Sequence, residues 1–187
     1  MKSPGIRVSS GVLKGRKLEV PDGIRPTEQK VREALFSIWG QRLAEAALLD
    51  LFAGTGAVGI EAVSRGAFSV SLVESQPEVL ATLRRNAALL PAGSFHVLAM
   101  PVDRALAELQ SAVAEFDLIF ADPPYAWVPP AEFFIGCAKL LRPGGALAFE
   151  HSSRFAPPVE VGNLVQTDAR RYGESALAFF GKSGDLT

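Results

Sequence analysis

From residue 47 to residue 151 the chain repeats one pattern: an apolar run of strand length, a turn, then a helical stretch. That repetition constrains the fold more than any other feature. The runs at 47–51, 69–74, 95–100, 116–121 and 146–151 are nearly continuous in apolar residues, as strands covered on both faces must be. Helices are expected between them, at 58–65, 77–90, 103–114 and 130–141, with Gly66 and Arg142-Pro143-Gly144-Gly145 as stops. Alternating strands and helices build an α/β, doubly wound, Rossmann-like sheet, parallel in its core. Two closing strands, at 164–171 and 176–180, follow with no helix between them. They are expected to pair as an antiparallel C-terminal hairpin.

The first residues follow a different pattern. Ile6-Arg7-Val8, a Ser-Ser-Gly turn, Leu13, a Lys-Gly turn and Leu18-Glu19-Val20 predict a small β-hairpin with its Lys and Arg side chains outward. Arg25-Pro26-Thr27 then opens a helix, with Thr27 as candidate N-cap and Val31, Ala34, Leu35, Ile38 and Trp39 on one face. The expected division is a basic hairpin extension at 1–24 and a main domain at 25–187.

The formal net charge is −1, yet residues 1–30 carry seven basic and three acidic side chains, +4, which leaves −5 for the remainder. A basic arm on an acidic body offers a contact for phosphates, although a solvated surface hairpin has the same composition. The length of 187 residues suits one domain with a sizeable core. No apolar run is long enough to span a bilayer, and no hydrophobic segment follows the first residues, so neither a membrane location nor a signal peptide is expected. A single cysteine, Cys137, excludes an internal disulfide and points to a reducing cytoplasm. With one Cys and two His, no protein-held metal is expected.

In such a sheet, ligands sit beyond the C-terminal strand ends, where the strand order reverses. The first strand runs into Asp50-Leu51-Phe52-Ala53-Gly54-Thr55-Gly56-Ala57-Val58-Gly59. The second ends at Glu74, the third precedes Asp103, and the fourth ends in Asp122-Pro123-Pro124-Tyr125. A strand cannot continue through two prolines, so the chain turns out of the sheet at Asp122. The carboxylate only accepts hydrogen bonds, and the Pro123 carbonyl is a second fixed acceptor beside it. With the flat face of Tyr125 they suit a planar group bearing an amine, such as the amino edge of a nucleobase. A bare Pro-Pro turn with Tyr125 as core filler fits the same four residues.

The first loop also reads as G-x-G-x-x-G, with Glu74 twenty residues after Gly54, the pattern of dinucleotide binding. A dehydrogenase is therefore one alternative. Against it, Asp50 puts negative charge where a pyrophosphate would approach, and nothing downstream supplies a hydride-transfer site. A ligand with an ammonium, a ribose and an adenine fits the four acidic positions better, and S-adenosylmethionine has all three. Asp50 would meet its amino group, Gly54 and Gly56 would let it pass close to the backbone, Glu74 would take the ribose hydroxyls, and Asp103 would accept from the adenine amine. Phe52, Ser75 and Thr27 complete the candidate cofactor set.

The Asp-Leu-Phe-Ala-Gly-Thr-Gly loop, taken with Asp122-Pro123-Pro124-Tyr125, resembles the class I S-adenosylmethionine-dependent amino-methyltransferases. Further segments resemble the RsmD-type 16S rRNA (guanine-N2)-methyltransferases: Arg7-Val8-Ser9-Ser10-Gly11, Lys14-Gly15-Arg16-Lys17-Leu18, Arg25-Pro26-Thr27, Val31-Arg32-Glu33-Ala34-Leu35-Phe36 and Glu150-His151 among them. Gln29 and Ser37 depart from that pattern. The resemblance implies methyl transfer from S-adenosylmethionine to N2 of a guanine in 16S ribosomal RNA, within the small subunit, by a cytoplasmic monomer. Asp122, Pro123, Pro124 and Tyr125 would be catalytic, and Arg7, Lys14, Arg16, Lys17, Arg25 and Arg32 would contact RNA. An amino-methyltransferase on adenine N6 and a non-catalytic RNA-binding assembly factor are the further alternatives.

Overall fold

The structure is a computed structural model and describes residues 5–21 and 29–183. Arg25 and the predicted N-cap Thr27 lie outside the described residues. The elements are β1 (Ile6–Arg7), β2 (Lys17–Leu18), α1 (Gln29–Trp39), β3 (Ala47–Leu51), α2 (Ala57–Ser64), β4 (Ser69–Glu74), α3 (Pro77–Ala87), β5 (Phe95–Ala99), α4 (Val102–Ser111), β6 (Phe116–Ala121), α5 (Ala131–Leu140), β7 (Leu141–Ser152), β8 (Glu160–Val161), β9 (Leu164–Tyr172) and β10 (Ser175–Lys182). Among the described residues, no helix is long and apolar enough to cross a membrane.

Strands β3 to β10 form one sheet in the order β5-β4-β3-β6-β7-β10-β9-β8. Pairing is parallel from β5 through β7, and β10 runs antiparallel between β7 and β9. The chain winds outward from β3 to β5, then crosses back to β6 on the other side of β3. The C-terminal ends of β3 and β6 therefore flank the switch point, where a crevice opens.

Alternation along the strands explains the two layers. Leu48 of β3 and Leu118 and Phe120 of β6 face a core shared with α1, α2 and α3. Leu49 and Leu51 of β3 and Ile119 of β6 face a second core shared with α4 and α5. The hairpin β1–β2 is not a detached arm, because Ile6, Val8 and Leu18 belong to the first of these cores.

Three local expectations need correction. The stop at Arg142-Pro143-Gly144-Gly145 falls inside β7 rather than before it. Phe116 pairs with Leu141 and Leu118 with Ala146, so the Pro-Gly-Gly segment loops out as an irregularity of the ladder, which suits residues that cannot donate or that favour positive φ. The buried face of α1 is rotated: Ile38 is exposed, while Arg32 and Phe36 are buried. The cause is the hairpin, which covers the Arg32 side of the helix, and Arg65, which lies over the Phe36 ring at 4.7 Å. Arg32, expected among the RNA contacts, is instead 3% exposed and engaged within the chain. Its Nη2 donates to the Arg7 carbonyl at 3.2 Å and its Nε lies 3.7 Å from Glu61.

Glu61, 1% exposed, joins the hairpin to the body. Its carboxylate accepts from the Ser9 backbone at 3.3 Å, from the Ser9 hydroxyl and from Arg65 at 2.7 Å. A second tie is Asn86 of α3. Its side chain accepts from the Glu19 N–H at 2.9 Å and donates to the carbonyls of Glu19 and Thr55 at 3.0 and 2.9 Å.

Candidate active site

The loop from β3 into α2 has three left-handed residues in five: Phe52 (φ +61), Gly54 (φ +55) and Gly56 (φ +78). Positive φ in a bulky residue costs of order 1–3 kcal/mol and marks a site that the surroundings hold in place. At Phe52 the ring packs on Trp127, centroids 5.2 Å apart. The two glycines serve different ends. A side chain on Gly56 would stand 2.6 Å from Leu83, so its bareness serves packing. A side chain on Gly54 would meet only the Phe52 carbonyl, 4.0 Å away, so its backbone faces open space where a ligand can approach closely.

Glu74, at the end of β4, organises the facing wall. Its carboxylate accepts from the N–H groups of Gly54 at 3.0 Å, Ser75 at 2.7 Å and Gln76 at 2.8 Å. A carboxylate has roughly four acceptor sites, so capacity remains for a ligand hydroxyl. Beyond it lies a cavity of about 590 Å³, lined by Phe52, Glu74, Ser75, Met100, Asp103 and Trp127 among others. Asp103 sits exposed in the first turn of α4, on the cavity wall.

Asp50 is not on the cavity wall. It is 1% exposed beneath the glycine loop and accepts from the Gly59 N–H at 3.0 Å. Burial pushes its pKa up to about 8, the Gly59 bond opposes that rise, and the charges of Asp122 and Glu74 add to it. The charges of Asp122 and Glu74 thus bear on a carboxyl group that is itself held neutral. The folded state holds a proton on Asp50 that the unfolded chain releases near pH 4. Stability therefore falls as pH rises from about 4 to about 8. Asp50→Asn keeps an acceptor for Gly59 and removes the titration. The difference in urea midpoint between variant and wild type is expected to move in the variant's favour from pH 5 to pH 8. An unchanged difference would contradict it.

At the end of β6, the Asp122 N–H reaches toward the Leu51 carbonyl at 3.5 Å and Pro123 is buried. The Pro124 carbonyl accepts from the Trp127 N–H at 2.8 Å, which closes the turn after the motif. Tyr125 is half exposed, and its hydroxyl is bonded to Ser175 of β10. Behind it is a second cavity of about 250 Å³, lined by Pro123, Tyr125, Trp127, Phe149, His151 and Arg154 among others. Trp127 lines both cavities, so the two adjoin just past the Asp122-Pro123-Pro124-Tyr125 turn, of which Pro123, Pro124 and Tyr125 line the smaller. His151 is stacked on Phe149 at 5.7 Å and 14°. Burial pushes its pKa down against the opposing carbonyls of Ser152 and Phe155, which keeps the ring neutral at pH 7.

Of the expected site residues, Phe52, Glu74, Ser75 and Asp103 share the larger cavity, Gly54 adjoins it, and Pro123, Pro124 and Tyr125 line the smaller one. Arg7, Lys14, Arg16 and Lys17 are exposed on the hairpin. The double role of Trp127 and the wall of Phe149, His151 and Phe155 were not expected. The two-residue spacing of Phe149 and His151 within one strand was the available signal that both face one side.

A doubly wound sheet with an acid-clamped glycine loop at its switch point, closed by an antiparallel hairpin, is the fold of the class I methyltransferases. The chain belongs to the family called Conserved hypothetical protein 95, the RsmD family, whose model matches residues 6–181. It is 40% identical over 122 residues to "Ribosomal RNA small subunit methyltransferase D" of Escherichia coli, a match covering 64% of this chain and 60% of that protein. It is 34% identical over 184 residues to "Putative rRNA methyltransferase YlbH" of Bacillus subtilis, covering 96% of this chain and all of that one. The solved structure "Putative methyltransferase yhhF" from Escherichia coli superposes with a TM-score of 0.84 at 31% identity, over 96% of this chain and 99% of that chain.

Proposed function

We propose that the protein transfers a methyl group from S-adenosylmethionine to the exocyclic N2 of a guanine in 16S ribosomal RNA, within the small ribosomal subunit. The observation that carries this is the Asp122-Pro123-Pro124-Tyr125 turn, whose last three residues line the smaller cavity, followed at once by Trp127, which lines both cavities. The larger cavity suits the donor: the open backbone of Gly54 and the spare acceptor capacity of Glu74 match a ribose passing close to the chain, and Asp103 on its wall can accept from an amine. Thr27 remains part of the proposed donor set. When bound there, the donor supplies a methyl group already activated on a sulfonium.

The remaining work falls to the chain. A guanine amine is a poor nucleophile, because its lone pair is delocalised into the ring. Asp122 and the Pro123 carbonyl accept its two N–H bonds and leave the lone pair directed at the methyl carbon. The Asp122 charge stabilises the positive charge that develops on nitrogen. One proton then leaves N2, to Asp122 or to water. Positioning of this kind can supply roughly 7–11 kcal/mol. The target base leaves its stack, and Tyr125 holds its face, a contact worth about 1–3 kcal/mol. The bond to Ser175 fixes the edge of that ring. Arg7, Lys14, Arg16 and Lys17, exposed on the hairpin, would hold flanking phosphates, and Arg25 remains part of the proposed RNA set. The names of the two relatives above, both rRNA methyltransferases, support the RNA substrate.

The test offers tritium-labelled S-adenosylmethionine with small ribosomal subunits from a strain lacking its own enzyme, naked 16S RNA and DNA. Label is expected in N2-methylguanosine from the subunits. Label in N6-methyladenosine, or in DNA, would overturn the base assignment. No label, with measurable donor binding, would favour an RNA-binding assembly factor.

A further inference from the structure

Asp122 and the Pro123 carbonyl recognise an amine but cannot tell which purine carries it. The 250 Å³ cavity behind Tyr125 contains a group that can. Arg154 lines that cavity and is exposed, and its guanidinium makes no hydrogen bond or ion pair with any described residue. Its backbone, by contrast, is pinned. The Phe155 N–H donates to the Ser152 carbonyl at 2.9 Å, the Arg154 N–H to the Ser152 hydroxyl at 3.3 Å, and the Ser153 N–H to the Glu174 carbonyl at 2.7 Å. The Phe155 ring meets His151 edge-on at 5.7 Å and Phe149 at 6.4 Å. An uncommitted planar cation is thus rooted in a fixed turn above an aromatic wall.

We propose that Arg154 reads the O6 and N7 edge of the target guanine while Asp122 and Pro123 hold its N2. This rests on the function proposed above and supplies its choice of base. With N2 at the proline turn, O6 and N7 lie at the opposite end of the purine. A guanidinium donates to both at once, the commonest specific contact to guanine. Adenine presents an amine where guanine has O6, and a guanidinium has no acceptor to offer it.

The experiment replaces the target guanine, once mapped, with 2-aminopurine by splinted ligation of the 16S RNA and assembles the RNA into subunits. 2-Aminopurine keeps the N2 amine and N7 but lacks O6. The ratio of kcat/KM for guanine over 2-aminopurine is expected to fall about 5- to 150-fold from wild type to Arg154→Ala. Arg154→Lys, with a single point donor, should fall in between. A ratio unchanged within twofold in both variants would overturn the proposal. So would an equal loss on both substrates with a salt slope shallower by about one, the signature of a phosphate contact. Failure of the underlying function has a different signature, since wild-type enzyme would then leave no label in N2-methylguanosine on unmodified subunits.

Discussion

Asp122→Ala is expected to lower kcat by about two to three orders of magnitude, the range seen when one preorganised polar group is removed from a developing charge. Asp122 follows β6 directly, where that strand leaves the sheet beside Leu51. Its loss removes one of two acceptors for the target amine and the negative charge that faces the alkylated nitrogen. The binding cavity is lined by other residues, so the Kd for S-adenosylmethionine should change only several-fold. Asp122→Asn retains an acceptor oxygen without the charge and should lie between alanine and wild type. Single-turnover rates on small subunits, with donor affinity measured in parallel, separate the two contributions. Near-normal turnover in a folded alanine variant would remove the acceptor role.

The strands were largely legible because each is covered on both faces. Such strands are continuous in apolar residues, and the spans of β3, β4 and β6 follow the sequence pattern residue for residue. The closing hairpin of β9 and β10 was legible from the missing helix between two apolar runs. The short strand β8 was not, since two residues carry no periodicity. The proline turn and the glycine loop announced themselves through residues with few conformational options. Asp50 was legible as an acid near the site but not as a buried one. Its bond to Gly59 depends on α2 packing against β3 and β4, where a side chain on Gly59 would stand 2.5 Å from Leu72. Arg32 misled for a related reason. A basic residue beside a basic hairpin suggests RNA, and only the tertiary contact with Glu61 shows that the charge is already engaged.

That contact sets the largest expected effect on stability. Glu61→Ala should destabilise the fold by about 3–5 kcal/mol, because it removes a buried carboxylate that faces Arg32 and accepts from Ser9 and Arg65 at once. Burial pushes the Arg32 pKa down and Glu61 is the leading group that pushes it back, so the two side chains depend on each other. The same substitution removes the acceptor for Ser9 and Arg65, and with it the polar seam between hairpin and α2. Ser9→Ala breaks two hydroxyl bonds, the one donated to Glu61 and the one accepted from Arg65, and should cost about 1–2 kcal/mol. Arg32→Met combined with Glu61→Leu removes both charges and should recover much of the loss, since well-packed apolar pairs often replace buried ion pairs without penalty. Urea unfolding of the four proteins measures this directly, and a loss below about 1 kcal/mol in Glu61→Ala would contradict it. The functional consequence separates the hairpin from the donor cavity. If the basic hairpin positions RNA, Glu61→Ala at a temperature where it remains folded should weaken binding to small subunits while leaving S-adenosylmethionine affinity within about twofold. The hairpin is held through Glu61, whereas the donor cavity is walled by Phe52, Glu74 and Trp127 on other elements.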